Sequence, residues 1–91
     1  MGKHTPGPWL LSGRTVYALN DKGTNRFSAL VQDAHAPAYE LNANARLIAA
    51  APELLEALQN SKSLLESVGM QSSDEYQQAS AAIAKATGDQ Q

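Results

Sequence analysis

Cysteine is absent from this chain of 91 residues. Its absence excludes a disulfide framework, a cysteine-based zinc site and a thiol nucleophile. No apolar run approaches the roughly 18 residues of a membrane span. Residues 1–11 contain two prolines and no long apolar stretch, so they do not resemble a signal peptide. Together these absences predict a cytoplasmic protein that does not enter the membrane.

Basic residues are also few, since seven Lys and Arg stand against nine Asp and Glu for a formal net charge of −2. Duplex nucleic acid is bound through a basic surface that displaces counterions, so this composition argues against duplex nucleic acid as a partner. A chain of this size buries only a small core. We therefore expect a second copy to complete the fold, as a homo-oligomer.

The first third of the chain has the pattern of a small sheet. Residues 1–8 are expected to form an extended lead-in, because Pro6 and Pro8 each restrict the backbone to non-helical shapes. Residues 9–31 then contain three short runs of β-branched and aromatic residues. The turn signal between the last two runs is strongest at residues 20–23. This spacing predicts a three-stranded antiparallel meander.

Residues 42–88 have helical composition instead. Either Asn42 or Asn44 is expected to be the N-cap of a first helix, because an Asn side chain accepts from the free N–H groups of a first turn. Pro52 either separates a second helix, reaching about Val68, or kinks one continuous helix.

A third helix is expected to begin at Ser72 or Ser73, with Ser72 and Glu75 in the reciprocal positions of a capping box. Gly88 is expected to end it, and residues 89–91 to fray. The whole chain is thus predicted to be one α+β domain, a three-stranded sheet followed by two or three helices.

One apolar stripe runs along the second predicted helix at helical spacing. It is formed by Leu54, Leu58, Leu65 and Val68. The simplest interpretation is core, and the alternative is that part of the stripe forms a subunit interface.

The best candidate binding site in the sequence is the group Asn42, Asn44 and Arg46. At a helix N-terminus, free N–H groups, the helix dipole and a guanidinium would together favour a phosphate. The alternative is a helix cap, with an arginine that covers the sheet or pairs with Glu40.

Trp9 and Arg26 complete the set of candidate ligand-binding residues. Trp9 is expected either to stack on a purine base or to pack the sheet against the helices. Arg26 is expected either to meet an anionic ligand or to solvate the outer face of the sheet.

Catalytic and metal-binding motifs are lacking. His4 and His35 have no helical spacing between them and are expected to be exposed. There is no glycine-rich phosphate loop and no nucleophile elbow. The sequence therefore predicts a protein that is not an enzyme and needs no cofactor or metal.

Two blocks of sequence resemble a known group of proteins. Residues 5–9 read TPGPW, and residues 43–58 read ANARLIAAAPELLEAL. With these two blocks, the chain resembles a widespread family of short proteins encoded by bacteriophages and prophages. The resemblance implies a phage setting, in which small proteins outside the virion commonly alter the host or block its defences.

The layout also resembles, at the level of fold, phage proteins that sequester the nucleotide signals of bacterial immunity. This resemblance implies a non-enzymatic anti-defence protein, a sponge for a small nucleotide signal. The alternatives are an inhibitor or adaptor that binds a host or CRISPR-type defence protein, and a structural role in the phage particle.

Overall fold

A computed structural model describes residues 4–88. The predicted frayed tail, and the first three residues of the predicted lead-in, lie outside the described residues. The order of elements confirms the α+β prediction, with three strands followed by three helices: β1 (Leu10–Ser12), β2 (Thr15–Leu19), β3 (Asn25–Leu30), α1 (Ala38–Ala49), α2 (Ala51–Ser67) and α3 (Asp74–Thr87).

The chain divides into two compact units. The sheet unit holds residues 5–53, which include the three strands and α1. The helical unit holds residues from Leu54 onward together with His4, so the boundary falls in the first turn of α2.

The sheet is an antiparallel meander in the order β1-β2-β3. A two-residue turn joins β1 to β2, and Gly13 takes its first central position with φ 62°. That conformation is open to glycine and disfavoured for residues with a Cβ atom. The turn after β2 is organised by Asn20, whose Oδ1 accepts from the backbone N–H groups of Lys22 and Thr24 at 2.9 and 3.0 Å.

The core of the sheet unit lies between one face of β2 and one face of α1. Val16 and Ala18 are buried on β2, as their predicted alternation requires. Leu41 and Ala45 are buried one helical turn apart on α1, which contacts β1 and β2. These four side chains explain why α1 lies against the sheet.

The start of α1 differs from the prediction. The helix begins at Ala38 with Pro37 as its N-cap, so the expected caps Asn42 and Asn44 lie inside the helix. A proline tolerates this position because it has no N–H to satisfy. Burial of Leu41 against the sheet stabilises a helix that begins before Asn42. This packing energy is larger than the preference of asparagine for the N-cap position.

The later helix boundaries follow the prediction more closely. Ala50 alone separates α1 from α2, and Pro52 is the second residue of α2, so the two helices are separate. α2 ends at Ser67, and Gly69, two residues later, has a left-handed conformation, with Met70 N–H donating to the Leu65 carbonyl at 2.8 Å.

The predicted capping box at Ser72 and Glu75 is wrong. Ser73 is the N-cap of α3, and its Oγ accepts from Tyr76 N–H at 3.2 Å. The cap falls one residue later because the Ser73 hydroxyl also donates to the Met70 carbonyl at 2.7 Å, which fixes Ser73 in place. Gly88 ends α3 with φ 78°, as predicted.

Candidate functional site

The exposed side of α1 carries an aromatic ring, a carboxamide and a guanidinium group. Successive residues of a helix are about 100° apart around its axis, so residues three, four and seven apart share one face. Tyr39, Asn42 and Arg46 have this spacing, and all three are exposed. Tyr39 is 75% exposed. We call these three residues the α1 face.

The α1 face is supported by the buried side of the helix. Leu41 and Ala45 lie roughly 110° around α1 from the centre of the α1 face, and both are buried against the sheet. The backbone under Tyr39, Asn42 and Arg46 is therefore fixed, while their side chains extend into solvent. A binding surface on a rigid element loses less entropy on association than one on a loop.

The structure separates the three residues that the sequence grouped as an anion site. Asn42 and Asn44 are about 200° apart around α1, so Asn44 lies on the other flank of the helix. Arg46 is in the last turn, about 12 Å along the axis from the first residue, Ala38. The proposed combination of a helix N-terminus with this guanidinium is therefore wrong, because Arg46 lies at the negative end of the dipole.

The sequence pattern did not indicate Tyr39 as a site residue. The reason is that the helix was expected to begin later than it does. With an N-cap at Asn42 or Asn44, Tyr39 would precede the helix and would not share a helical face with Arg46. Two features of the sequence indicate this face. Pro37 is compatible with a position just before a first helical turn, and Tyr39, Asn42 and Arg46 then have the spacing of one helical face.

Trp9 contacts β3 and the opening segment of the chain. Its ring centroid lies 4.9 Å from that of Phe27 at an interplanar angle of 49°. Its indole Nε1 donates to the Thr5 carbonyl at 3.0 Å, and the side chain is half-buried. The ring and its N–H are thus used to tie the TPGPW segment to β3.

Arg26 stands apart from the α1 face. Ala18 pairs with Phe27 and Leu19 pairs with Asn25, so Arg26 is an additional residue that forms a β-bulge in β3. It is exposed, and among the described residues α1 contacts β1 and β2 but not β3. The sheet and α1 therefore do not bring Arg26 and Arg46 together in one site.

The two histidines lie at exposed positions. His35 is exposed as predicted, and its backbone N–H donates to Asp33 Oδ1 at 2.7 Å in an exposed turn. His4 is exposed as well. Over residues 4–88, no three His, Cys, Asp or Glu side chains are placed to hold a metal ion.

A polar contact joins the two helices of the helical unit. Tyr76 donates from its hydroxyl to Glu66 Oε2 at 2.6 Å, and Lys62 Nζ lies 5.5 Å from the centre of the Tyr76 ring. The hydrogen bond to the Glu66 carboxylate raises the pKa of Tyr76 above its usual 10.0, with smaller contributions from desolvation and from the carboxylate charge.

Comparison with known proteins places almost the whole chain in one family. A family model described as Salmonella phage P22 protein Y8K6 matches residues 1–90. No curated protein and no solved structure matches the chain. In the part of the chain that the structure describes, no helix has the length and apolar character needed to cross a membrane.

Proposed function

This chain belongs to that phage protein family, and we propose that it is a non-enzymatic accessory protein that binds a host protein through the α1 face. The observation that carries the proposal is the placement of Tyr39, Asn42 and Arg46 on one exposed stripe of a helix whose adjacent side is buried against the sheet. In the phage setting, the expected role is to inhibit or redirect a host or CRISPR-type defence protein.

The chemistry of the α1 face suits a protein partner. Tyrosine and arginine are enriched among the residues that dominate binding energy, because each buries a large area and still forms hydrogen bonds. The face is the convex side of a helix, whereas small-molecule sites are usually concave. A helix of this kind docks into a groove or against a flat surface of its partner.

Asn44 provides a matched control for this proposal, because it lies on the same helix but on the other flank. We expect a protein from host lysate to be retained by the immobilised wild type and by the Asn44→Ala variant. Tyr39→Ala and Arg46→Ala should each weaken that retention by roughly 30-fold or more, the scale of a hot-spot residue. Circular dichroism of each variant checks that the helices are intact.

Two results would contradict the proposal. Equal retention by all four proteins would show that binding does not involve the α1 face. Failure of the wild type to retain any host protein would reject a protein partner altogether.

A second candidate function uses the same pair of side chains. Tyr39 can stack on a base while Arg46 binds a phosphate, since an aromatic ring and a guanidinium are the groups that recognise nucleotides in this way. The protein would then sequester a nucleotide signal of the host's immunity, as a sponge does.

Native mass spectrometry distinguishes this candidate from the first. The protein is incubated with small-molecule extracts of host cells whose nucleotide-signalling defences are active. A bound mass of nucleotide size, lost in Tyr39→Ala and Arg46→Ala and kept in Asn44→Ala, would support sequestration. An unliganded protein in every extract would reject it.

A further inference from the structure

The helical unit leaves most of its apolar side chains half-buried or exposed. None of the residues of α2 is buried, although the helix contains five leucines. In α3 only Ala79 is buried, at 6% exposure. Two helices with so little buried apolar surface are expected to be stabilised by further packing, since the stability of helices in proteins comes mainly from their apolar faces.

An open groove of ≈ 390 Å³ runs between α2 and α3. Its apolar lining comes from Leu58 and Leu65 on α2 and from Ala79 and Ala82 on α3, with Ser61, Glu75 and Gln78 as the polar lining. Leu54 and Val68 continue the α2 side of the groove at helical spacing, and they are 53% and 59% exposed.

The polar contact between the helices does not close this groove. Lys62 and Glu66 lie roughly 50–90° around α2 from the line through Leu58 and Leu65, and Tyr76 lies roughly 60–120° around α3 from Ala79 and Ala82. The contact of Tyr76 with Glu66 therefore holds the two helices together at one flank. The apolar groove remains open on the neighbouring side.

The two sides of the groove differ in size. The α2 side carries large residues, Leu54, Leu58, Leu65 and Val68, whereas the α3 side carries mainly alanines, Ala79, Ala82 and Ala86, with the half-buried Ile83 at its flank. In a two-fold pair of such hairpins, α2 of each copy lies over α3 of the other. The leucines then fill the space above the alanines, which is the large-against-small packing of well-packed helix bundles.

The dimensions suit this pairing. With 17 and 14 residues, α2 and α3 are about 25 and 21 Å long, and each helix is about 10 Å wide. Their common face projects to roughly 450 Å², and the accessible area of a ridged helical surface is larger than its projection. Specific interfaces begin at about 600 Å² per partner, so the hairpin face is of the size of a small dimer interface.

We infer that the groove between α2 and α3 receives α2 of a second copy of this chain, so that two helical units form a four-helix bundle. The interface is isologous, because each copy supplies the same leucine stripe and the same alanine-lined side. No charged group other than Glu75 lines the groove, so the pairing buries little charge.

Two serines of α2 allow a matched test with the full-length chain. Ser61 lines the groove, and Ser63 lies on the opposite side of the same helix; both are exposed. Sedimentation equilibrium is expected to give a dimer for the wild type and for Ser63→Arg. Ser61→Arg should raise the dimer dissociation constant by roughly 100-fold or more, because it places a charged side chain among apolar ones.

Several outcomes would overturn the inference. A wild type that stays monomeric at the highest soluble concentration removes the second copy as the occupant. Equal dissociation constants for Ser61→Arg and Ser63→Arg place any dimer interface elsewhere. If Ser61→Arg loses helix content, Ala82→Arg replaces it, and a dimer as tight as that of the wild type then rejects the groove. The α1 face is tested by other variants, so failure of one proposal leaves the other standing.

Discussion

At the scale of single residues, Gly7 matters because of what lies beside it. A Cβ atom at this position would lie 3.0 Å from Pro52 Cβ and 3.5 Å from Glu53 Oε2. We expect Gly7→Ala to lower the free energy of unfolding by about 1–2 kcal/mol, since overpacking of a close contact has costs on that scale. Chemical denaturation of the wild type and the variant measures this change.

The double variant Gly7→Ala with Pro52→Gly is the control. Glycine removes both the Cβ and the Cγ of Pro52, which are the atoms that the new methyl group meets, so the second substitution should offset part of the loss. Additive effects of the two changes, or a Gly7→Ala protein as stable as the wild type, would contradict this explanation.

At the scale of secondary-structure elements, the contact between α2 and α3 depends on pH. The pKa of Tyr76 is raised because its hydroxyl donates to Glu66, so the folded state favours the protonated phenol. The stabilisation is fully present below the ordinary tyrosine pKa of 10.0 and is lost as pH rises through the higher folded-state pKa.

Titration of tyrosinate absorbance tests this expectation. One of the three tyrosines should ionise above the usual range in the wild type, and Glu66→Ala should return it towards that range. Tyr76→Phe should remove the high step and leave the other two. An unchanged titration curve in Glu66→Ala would mean that Glu66 does not set the pKa of Tyr76.

At the scale of the whole molecule, the buried side chains are unequally shared between the two units. Among the described residues, Val16, Ala18, Leu41 and Ala45 are buried in the sheet unit, and Ala79 alone is buried in the helical unit. Amide hydrogen exchange should therefore be slowest in β2 and α1 and faster in α2 in dilute solution.

Protein concentration provides the control for this measurement. If a second copy packs into the groove, exchange in α2 and α3 should slow as concentration rises, while exchange in β2 stays constant. Exchange in α2 that is slower than in β2 at the lowest concentration would contradict the expected difference between the units.

Much of the sheet could be predicted from the sequence because its signals are local. Alternation placed Val16 and Ala18 on one face, and residues 20–23 indicated the turn that Asn20 organises. The bulge at Arg26 could not be predicted, because it depends on how β3 pairs with β2 rather than on either strand alone.

The candidate site was harder to predict because it depends on where α1 begins. Two asparagines offered plausible caps, but the packing of Leu41 and Ala45 against the sheet decides the start of the helix. That start, in turn, decides which side chains share a face. The pairing of Tyr39 with Arg46 is therefore a tertiary property, although both residues are close in sequence.

The close approach of Gly7 to Pro52 has a consequence for recombination between related phage genes. The two positions are far apart in the sequence but are in contact in the fold, so a methyl group at one is tolerated only if the other yields space. In a chimera that joins the opening segment of one relative to the helices of another, these positions come from different parents. A chimera should fold stably when both parents carry glycine at position 7 and proline at position 52. Otherwise, a compensating substitution at one of these two positions should be needed to restore stability.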